Sequence, residues 1–214
     1  MTMNAQMERR VWIGCLACYN DGRLVGDWFP AIEAGEVTTE QLHTGDIRVD
    51  AAGNVINGDG WDSPHEELWV MDHEGLPIKG ECSPATAQAI AETCEAIEAD
   101  GYSVDAVRAW CEYVGEDFPA EWDKPTRESF EDAYAGSWAS FREYADECAG
   151  EMLDAETADY RHRSLTGEQA KLWSHCYFDY EAYARDLAHD HFTERWTVDT
   201  PDRYETGVYV FRSH

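Results

Sequence analysis

Ser83-Pro-Ala-Thr-Ala-Gln-Ala-Ile90-Ala-Glu92-Thr-Cys94-Glu95-Ala-Ile97-Glu98-Ala-Asp100-Gly101 is where this chain changes character. Serine followed by proline opens a helix. The serine oxygen caps a free amide, and proline at the first helical position lacks a donor that would have no partner there anyway. Gly101 supplies a stop. A helix is therefore predicted from Pro84 to about Asp100. Ile90, Cys94 and Ile97 recur along one side at helical spacing, and Glu92, Glu95 and Glu98 along the other.

On the N-terminal side the pattern is β. Residues 10–29 read as a hairpin, two apolar runs around Asn20-Asp21-Gly22, a turn that supplies positive φ. From about Glu33 to Pro64 the chain is rich in Gly, Asp, Asn and Thr, with turn signals at Ala52-Gly53-Asn54 and Asn57-Gly58-Asp59-Gly60. Short strands and loops are expected there, with one short helix near Thr39–His43. Leu68–Met71 reads as another strand, closed by the stretch from Asp72 to Pro77.

On the C-terminal side helices dominate. Ser103 caps a predicted helix to Val114, ended by Gly115, with Val104, Val107, Cys111 and Val114 as its apolar stripe. A further helix is expected around Glu128–Tyr134, after a loop holding Pro119 and Pro125. Ser140-Phe-Arg-Glu143 has capping-box form. It opens a helix with Phe141, Tyr144, Ala145, Cys148 and Met152 inward and Glu143, Asp146, Glu147, Glu151 and Asp154 outward. Phe178–Ala188 reads as helix, with Tyr180, Tyr183, Ala184 and Leu187 inward, and Thr206–Arg212 alternates like a closing strand. The class is α+β. It divides into an antiparallel β-rich part (1–80), a helical acidic middle (81–137) and a C-terminal α/β part (138–214).

The charge is extreme: 44 Asp+Glu against 16 Lys+Arg give −28 on 214 residues. Between Glu81 and Asp159 there are 21 acids and 4 bases, an excess of 17. Like charges one helical turn apart each cost ~0.2–0.5 kcal/mol, and the segment reads as lacking the lysines that would pair them. Disordered acidic chains are poor in aromatics; this one is 13% aromatic, with nine Trp and eleven Tyr, and can bury a core. A duplex carries one charge per ~1.7 Å, so 28 charges match ~48 Å, about 14 base pairs.

The N-terminus reads as carrying no signal peptide, and the apolar run Val11–Tyr19 is too short to span a bilayer. A cytoplasmic protein is expected, with no membrane partner. Seven scattered cysteines suggest no disulfide framework. Cys15 and Cys18 form a lone C-x-x-C within what reads as a strand. Residues three apart in a strand face opposite sides, and no matching second pair follows, so no metal site is expected. Among the histidines His189-Asp-His191 is the closest cluster, without metal spacing. No P-loop, Gly-x-Ser-x-Gly, Gly-x-Gly-x-x-Gly or His-Glu-x-x-His occurs. With 44 acids, carboxylate pairs of the kind a hydrolase uses arise by chance and carry almost no information.

Three stretches carry a resemblance. They are Arg10-Val-Trp-Ile-Gly14-Cys-Leu-Ala-Cys-Tyr19-Asn20-Asp21-Gly22 with Gly26-Asp-Trp28; Glu67-Leu-Trp-Val-Met-Asp72-His-Glu74-Gly75-Leu-Pro77; and Tyr177-Phe-Asp179-Tyr180-Glu181-Ala182-Tyr183-Ala184-Arg185-Asp186-Leu187, followed by Val208-Tyr-Val-Phe211-Arg212. Phe130-Glu131-Asp132-Ala133-Tyr134-Ala-Gly136 supports them. In this order they resemble the ArdA family of antirestriction proteins. The resemblance implies an elongated acidic protein of three small α+β domains, usually a homodimer. It also implies a DNA mimic that occupies the DNA-binding groove of type I restriction–modification enzymes. No catalysis, no cofactor and no direct nucleic acid binding are expected. The regions near 35–63 and 193–206 look longer than the family pattern, and the Cys15/Cys18 pair is not part of it.

The partner-binding surface is then distributed. The expected residues are Glu92, Glu95, Glu98, Asp105, Glu112, Glu116, Asp117, Glu128, Glu131, Asp132, Glu143, Asp146, Glu147, Glu151, Asp179, Glu181 and Asp186, and Arg185 is expected in a structural ion pair. Two alternatives are an acidic binder of another basic DNA-binding protein and a carboxylate-pair hydrolase.

Overall fold

Residues 8–57, 64–158, 175–200 and 203–213 are described in this computed structural model. Contacts divide the chain into two units, Met1–Asp123 and Lys124–His214.

In the first unit, β1 (Arg10–Cys15) is the centre of an antiparallel sheet ordered β2-β1-β5, with β2 at Gly26–Pro30 and β5 at Leu68–Glu74. The predicted pairing of the first two strands holds, but the connection differs. The strand stops at Cys15. A short helix, α1 (Leu16–Asn20), follows, and Asp21 caps it with its amide on the carbonyls of Ala17 and Cys18. Asn20-Asp21-Gly22 is thus a helix terminus, not a hairpin turn.

The following excursion holds a 3-10 helix (Ala31–Glu36), the predicted short helix α2 (Thr39–Leu42) and two small paired strands, β3 (Arg48–Val49) and β4 (Val55–Asn57). Thr38 and Gln41 form a capping box on α2. The Gly58-Asp59-Gly60 turn signal lies outside the described residues.

α3 (Pro84–Ala99) forms as predicted. Ser83 Oγ accepts the Thr86 amide at 3.1 Å, and Gly101 follows with φ +86°. Its stripe of Ala87, Ile90, Ala91 and Cys94 closes one core with Val11, Ile13 and Val70 of the sheet and Ala31 and Ala34 of the 3-10 helix. Each fully buried isoleucine contributes ~1.5–3 kcal/mol. That outweighs the like-charge cost of the Glu92–Glu95–Glu98 row on the outer side. α4 (Val104–Val114) ends at Gly115 in the left-handed region. Its buried side is rotated from the predicted stripe. Ala106, Val107, Ala109, Trp110 and Cys111 are inside, whereas Val114 is exposed. Trp110 is the larger apolar group and takes the inward position.

The second unit is built on a sheet ordered β6-β8-β7, with β6 at Tyr134–Trp138, β7 at His191–Thr200 and β8 at Arg203–Arg212. The 193–206 region, which looked like an extended loop, lies largely in the β7/β8 ribbon, registered from His191↔Arg212 to Thr200↔Arg203. α5 (Lys124–Ala133) begins earlier than predicted. Pro125 sits in its first turn, where proline is tolerated, and Tyr134 already belongs to β6. α6 (Phe141–Ala158) and α7 (Tyr180–Leu187) pack on each other. Ser140 Oγ accepts the Glu143 amide at 3.2 Å, while Glu143 reaches back to the Ala139 amide at 3.0 Å, one residue beyond a standard box. In α6 the buried side is Tyr144, Ala145, Ala149 and Leu153; Met152 is exposed. The predicted inward residues of α7 are all half-buried. Phe130, Tyr134 and Phe211 meet in the core, with Phe130 stacked on Tyr134 at 4.9 Å between ring centres.

Candidate functional site: a distributed carboxylate surface

The sheets and buried stripes hold the helices, and the helices present the acids. Every carboxylate predicted for the partner surface is exposed except Asp146, which is half-buried. On α3 and α4 these are Glu92, Glu95, Glu98, Asp105 and Glu112, with Glu116 and Asp117 just past the end of α4. In the second unit Glu128, Glu131 and Asp132 stand on α5, Glu143, Asp146, Glu147 and Glu151 on α6, and Glu181 and Asp186 on α7.

These acids are not equivalent. The expectation that the helices lack pairing bases is corrected by the structure. All four bases between 81 and 159 meet an acid of their own helix. The pairs are Arg108–Asp105 at 3.1 Å, Lys124–Glu128 at 3.4 Å, Arg127–Glu131 at 3.6 Å and Arg142–Asp146 at 2.7 Å. Glu112 pairs with Lys79 at 3.1 Å and Glu98 with Arg9. Asp179 spends an oxygen capping α7 through the Ala182 amide at 2.9 Å. Among the described residues, Glu92, Glu95, Glu116, Asp117, Asp132, Glu147, Glu151, Glu181 and Asp186 form no salt bridge. Arg185, expected in a structural ion pair, forms none among the described residues. It lies in the last turn of α7, where helix carbonyls favour a cation.

Exposed loop acids escaped a reading based on helical faces. Glu121 is exposed, and Asp100 accepts the Trp122 indole at 2.9 Å, so the loop after α4 is tied to the end of α3. The raw charge count over 81–159 is the signal that contained them. The depression beside α4 is lined by Lys79, Asp105, Arg108 and Glu112, whose charges pair with one another.

No exposed, activated nucleophile was found among the described cysteines. Burial pushes the Cys94 and Cys111 thiols up to about 11, and burial with the neighbouring Cys15 pushes Cys18 up to about 12. Cys18 faces His43 at 3.5 Å, but both are buried, out of a substrate's reach. His191 has both ring nitrogens committed, to Tyr144 Oη at 3.0 Å and the Leu187 carbonyl at 2.8 Å. Among the described residues, Cys15, Cys18, His43 and His65 come close enough together to hold a metal ion. This corrects the reading of the Cys pair as facing apart: the strand ends between the two thiols.

An aromatic core holding rows of exposed carboxylates defines a class, a folded polyanionic recognition protein. The chain belongs to the ArdA family: the family model described as Antirestriction protein (ArdA) matches residues 11–197. No curated protein and no solved structure is matched. Membership makes this a non-enzymatic antirestriction protein with a DNA-mimicking role. No helix of the described residues is long and apolar enough to cross a membrane.

Proposed function

We propose that this chain occupies the DNA-binding groove of type I restriction–modification enzymes and competes there with duplex DNA. The observation that carries the reading is the acidic side of α3. Glu92, Glu95 and Glu98 succeed one another ~4.5 Å apart along the axis, and the buried stripe of the same helix fixes them. Phosphate neutralisation supplies most non-specific DNA affinity, and it needs no base edges. Rigid carboxylates at comparable spacing can therefore take the place of phosphates in a basic cleft. The carboxylates without a salt bridge contribute most, because those already paired have part of their charge cancelled. On this reading the protein acts in the cytoplasm as a homodimer, without a catalytic cofactor.

The test compares two variants against a purified type I enzyme. Converting Glu92, Glu95, Glu116, Asp117, Glu147 and Glu151 together to amides weakens inhibition by roughly tenfold or more. Glu95→Gln alone changes it less than about twofold. Loss of all inhibition from one such change would point instead to a localised site. Undiminished inhibition by the six-fold variant would remove the mimicry mechanism.

A further inference from the structure

Four side chains from distant parts of the first unit converge behind its sheet. Cys15 ends β1 and Cys18 lies one turn into α1. His43 follows α2, and His65 precedes β5. All four are at most 3% exposed. Cys15 Sγ lies 3.4 Å from His65 Nδ1, and Cys18 Sγ lies 3.2 Å from that nitrogen and 3.5 Å from His43 Nε2. The two imidazole nitrogens are 3.2 Å apart, and all four ligand atoms lie within 4.8 Å of one another. A tetrahedral zinc ion, with bonds of ~2.3 Å to sulfur and ~2.0–2.1 Å to nitrogen, spaces its ligands ~3.4–3.8 Å apart. Four edges, 3.2–3.5 Å, lie at or just below that range, and the other two are no longer than 4.8 Å.

The surroundings favour an ion over a plain hydrogen-bonded cluster. His43 Nδ1 lies 2.6 Å from the Thr39 carbonyl. A carbonyl only accepts, so Nδ1 carries the proton and Nε2 turns its lone pair inward. This is the usual outer-shell support of a metal-binding histidine. His65 Nδ1 then has three close neighbours and one ring position. As a donor it serves His43 and leaves the two sulfurs only each other. As an acceptor it takes one thiol proton and faces the His43 lone pair. One cation at the centre satisfies all four atoms. His65 is itself held in place: its backbone amide donates to the Gly53 carbonyl at 2.8 Å. Gly53 has φ +77°, and a Cβ there would meet the His65 carbonyl at 2.9 Å.

We infer that Cys15, Cys18, His43 and His65 bind one zinc(II) ion in a closed, structural Cys2His2 site. Two thiolates and two imidazoles in tetrahedral array select zinc among common divalent ions. With four protein ligands and no solvent access, no position is left for substrate water. The ion ties the excursion of residues 31–67 to the sheet. The first part of that excursion, Ala31, Ala34 and Leu42, packs into the main core, whereas the described residues after His43 bury mainly Ile47 and Val49, which pack beside the two sulfurs. This is the situation in which a small element needs a staple.

The full-length chain, purified under reducing conditions without chelator, is expected to carry about one zinc per chain by elemental analysis. Exchange with cobalt(II) should give the visible bands of a tetrahedral ion with thiolate charge transfer. Cys18→Ser and His43→Gln lose the metal, while Cys94→Ser and His191→Gln keep it. Should the ligand variants fail to fold, the wild-type cobalt spectrum decides alone. No metal after reconstitution with zinc or cobalt, or a Cys15–Cys18 disulfide in the intact mass, overturns the site. A metal-free wild-type protein that still blocks a restriction enzyme would overturn the zinc site and leave the DNA-mimic reading standing.

Discussion

α3 and the excursion from Ala31 to Glu67 belong to the same unit and are held by opposite means. The helix is fixed by a stripe repeated every turn, with a serine cap before it and a glycine after it. The excursion has two-residue and three-residue strands, a four-residue helix and two histidines, His43 and His65, that meet Cys15 and Cys18 from outside it. One is secured by burial that each turn adds to independently. The other is anchored at its start by Ala31, Ala34 and Leu42 in the main core and, after His43, by the cluster. The two proposals divide the same way: the mimicry is spread over many replaceable carboxylates, whereas at the Cys2His2 cluster each residue is needed.

The largest expected effects break each region by its own mechanism. Ile97→Ala empties a fully buried position on α3 and should cost ~2–5 kcal/mol in urea unfolding. Chelation under reducing conditions should abolish hydrogen-exchange protection in residues 38–57 while α3 amides stay protected. Equal loss in both would mean the two regions are secured together. Gly53→Ala comes next. It strains a left-handed residue and presses on the His65 carbonyl, and a loss of ~1–3 kcal/mol in unfolding is expected.

A smaller effect sharpens the picture of the helical core. Cys94 and Cys111 ionise in the unfolded chain near 9.0 but only at about 11 when folded. Between those values the unfolded state binds fewer protons than the folded one. Stability contributed by these thiols is therefore complete below pH 9 and falls as pH rises towards 11. Urea midpoints measured across that range should decline, and less so in Cys94→Ala relative to its own neutral-pH value. The smallest effect has the clearest sign. Glu95→Gln relieves repulsion with Glu92 and Glu98, so α3 gains ~0.2–0.5 kcal/mol per pair. Adding Glu92→Gln should stabilise further while weakening inhibition. A surface shaped for stability would lose stability on both changes.

What could be read in advance follows the same division. The α3 boundaries, its outward glutamates and the short helix at Thr39–Leu42 were legible because cap, period and stop lie within a few residues of each other. The exposure of the predicted helical acids, all but Asp146, follows from the same periodicity. Spacing alone points Val114 and Met152 inward, but the buried sides run through Trp110 in α4, where the larger group is buried, and through Leu153 in α6. β6 is not legible because its partner, β8, is remote in sequence, and β7 because residues 193–206 read as an extended loop and not as a strand running into β8. The metal cluster was hidden by one local error. Extending β1 to Tyr19 put Cys15 and Cys18 on opposite faces, whereas the turn into α1 after Cys15 brings them together. Nothing in the gaps before His43 and His65 repeats a familiar ligand spacing.

The most direct test of the central claim is competition. A type I methyltransferase is titrated with this protein against a labelled duplex over a series of salt concentrations. The account predicts mutually exclusive binding, with affinity for the protein falling steeply and linearly on a log–log plot, as it does for the duplex. Simultaneous binding of protein and duplex, or an affinity indifferent to salt, would contradict it.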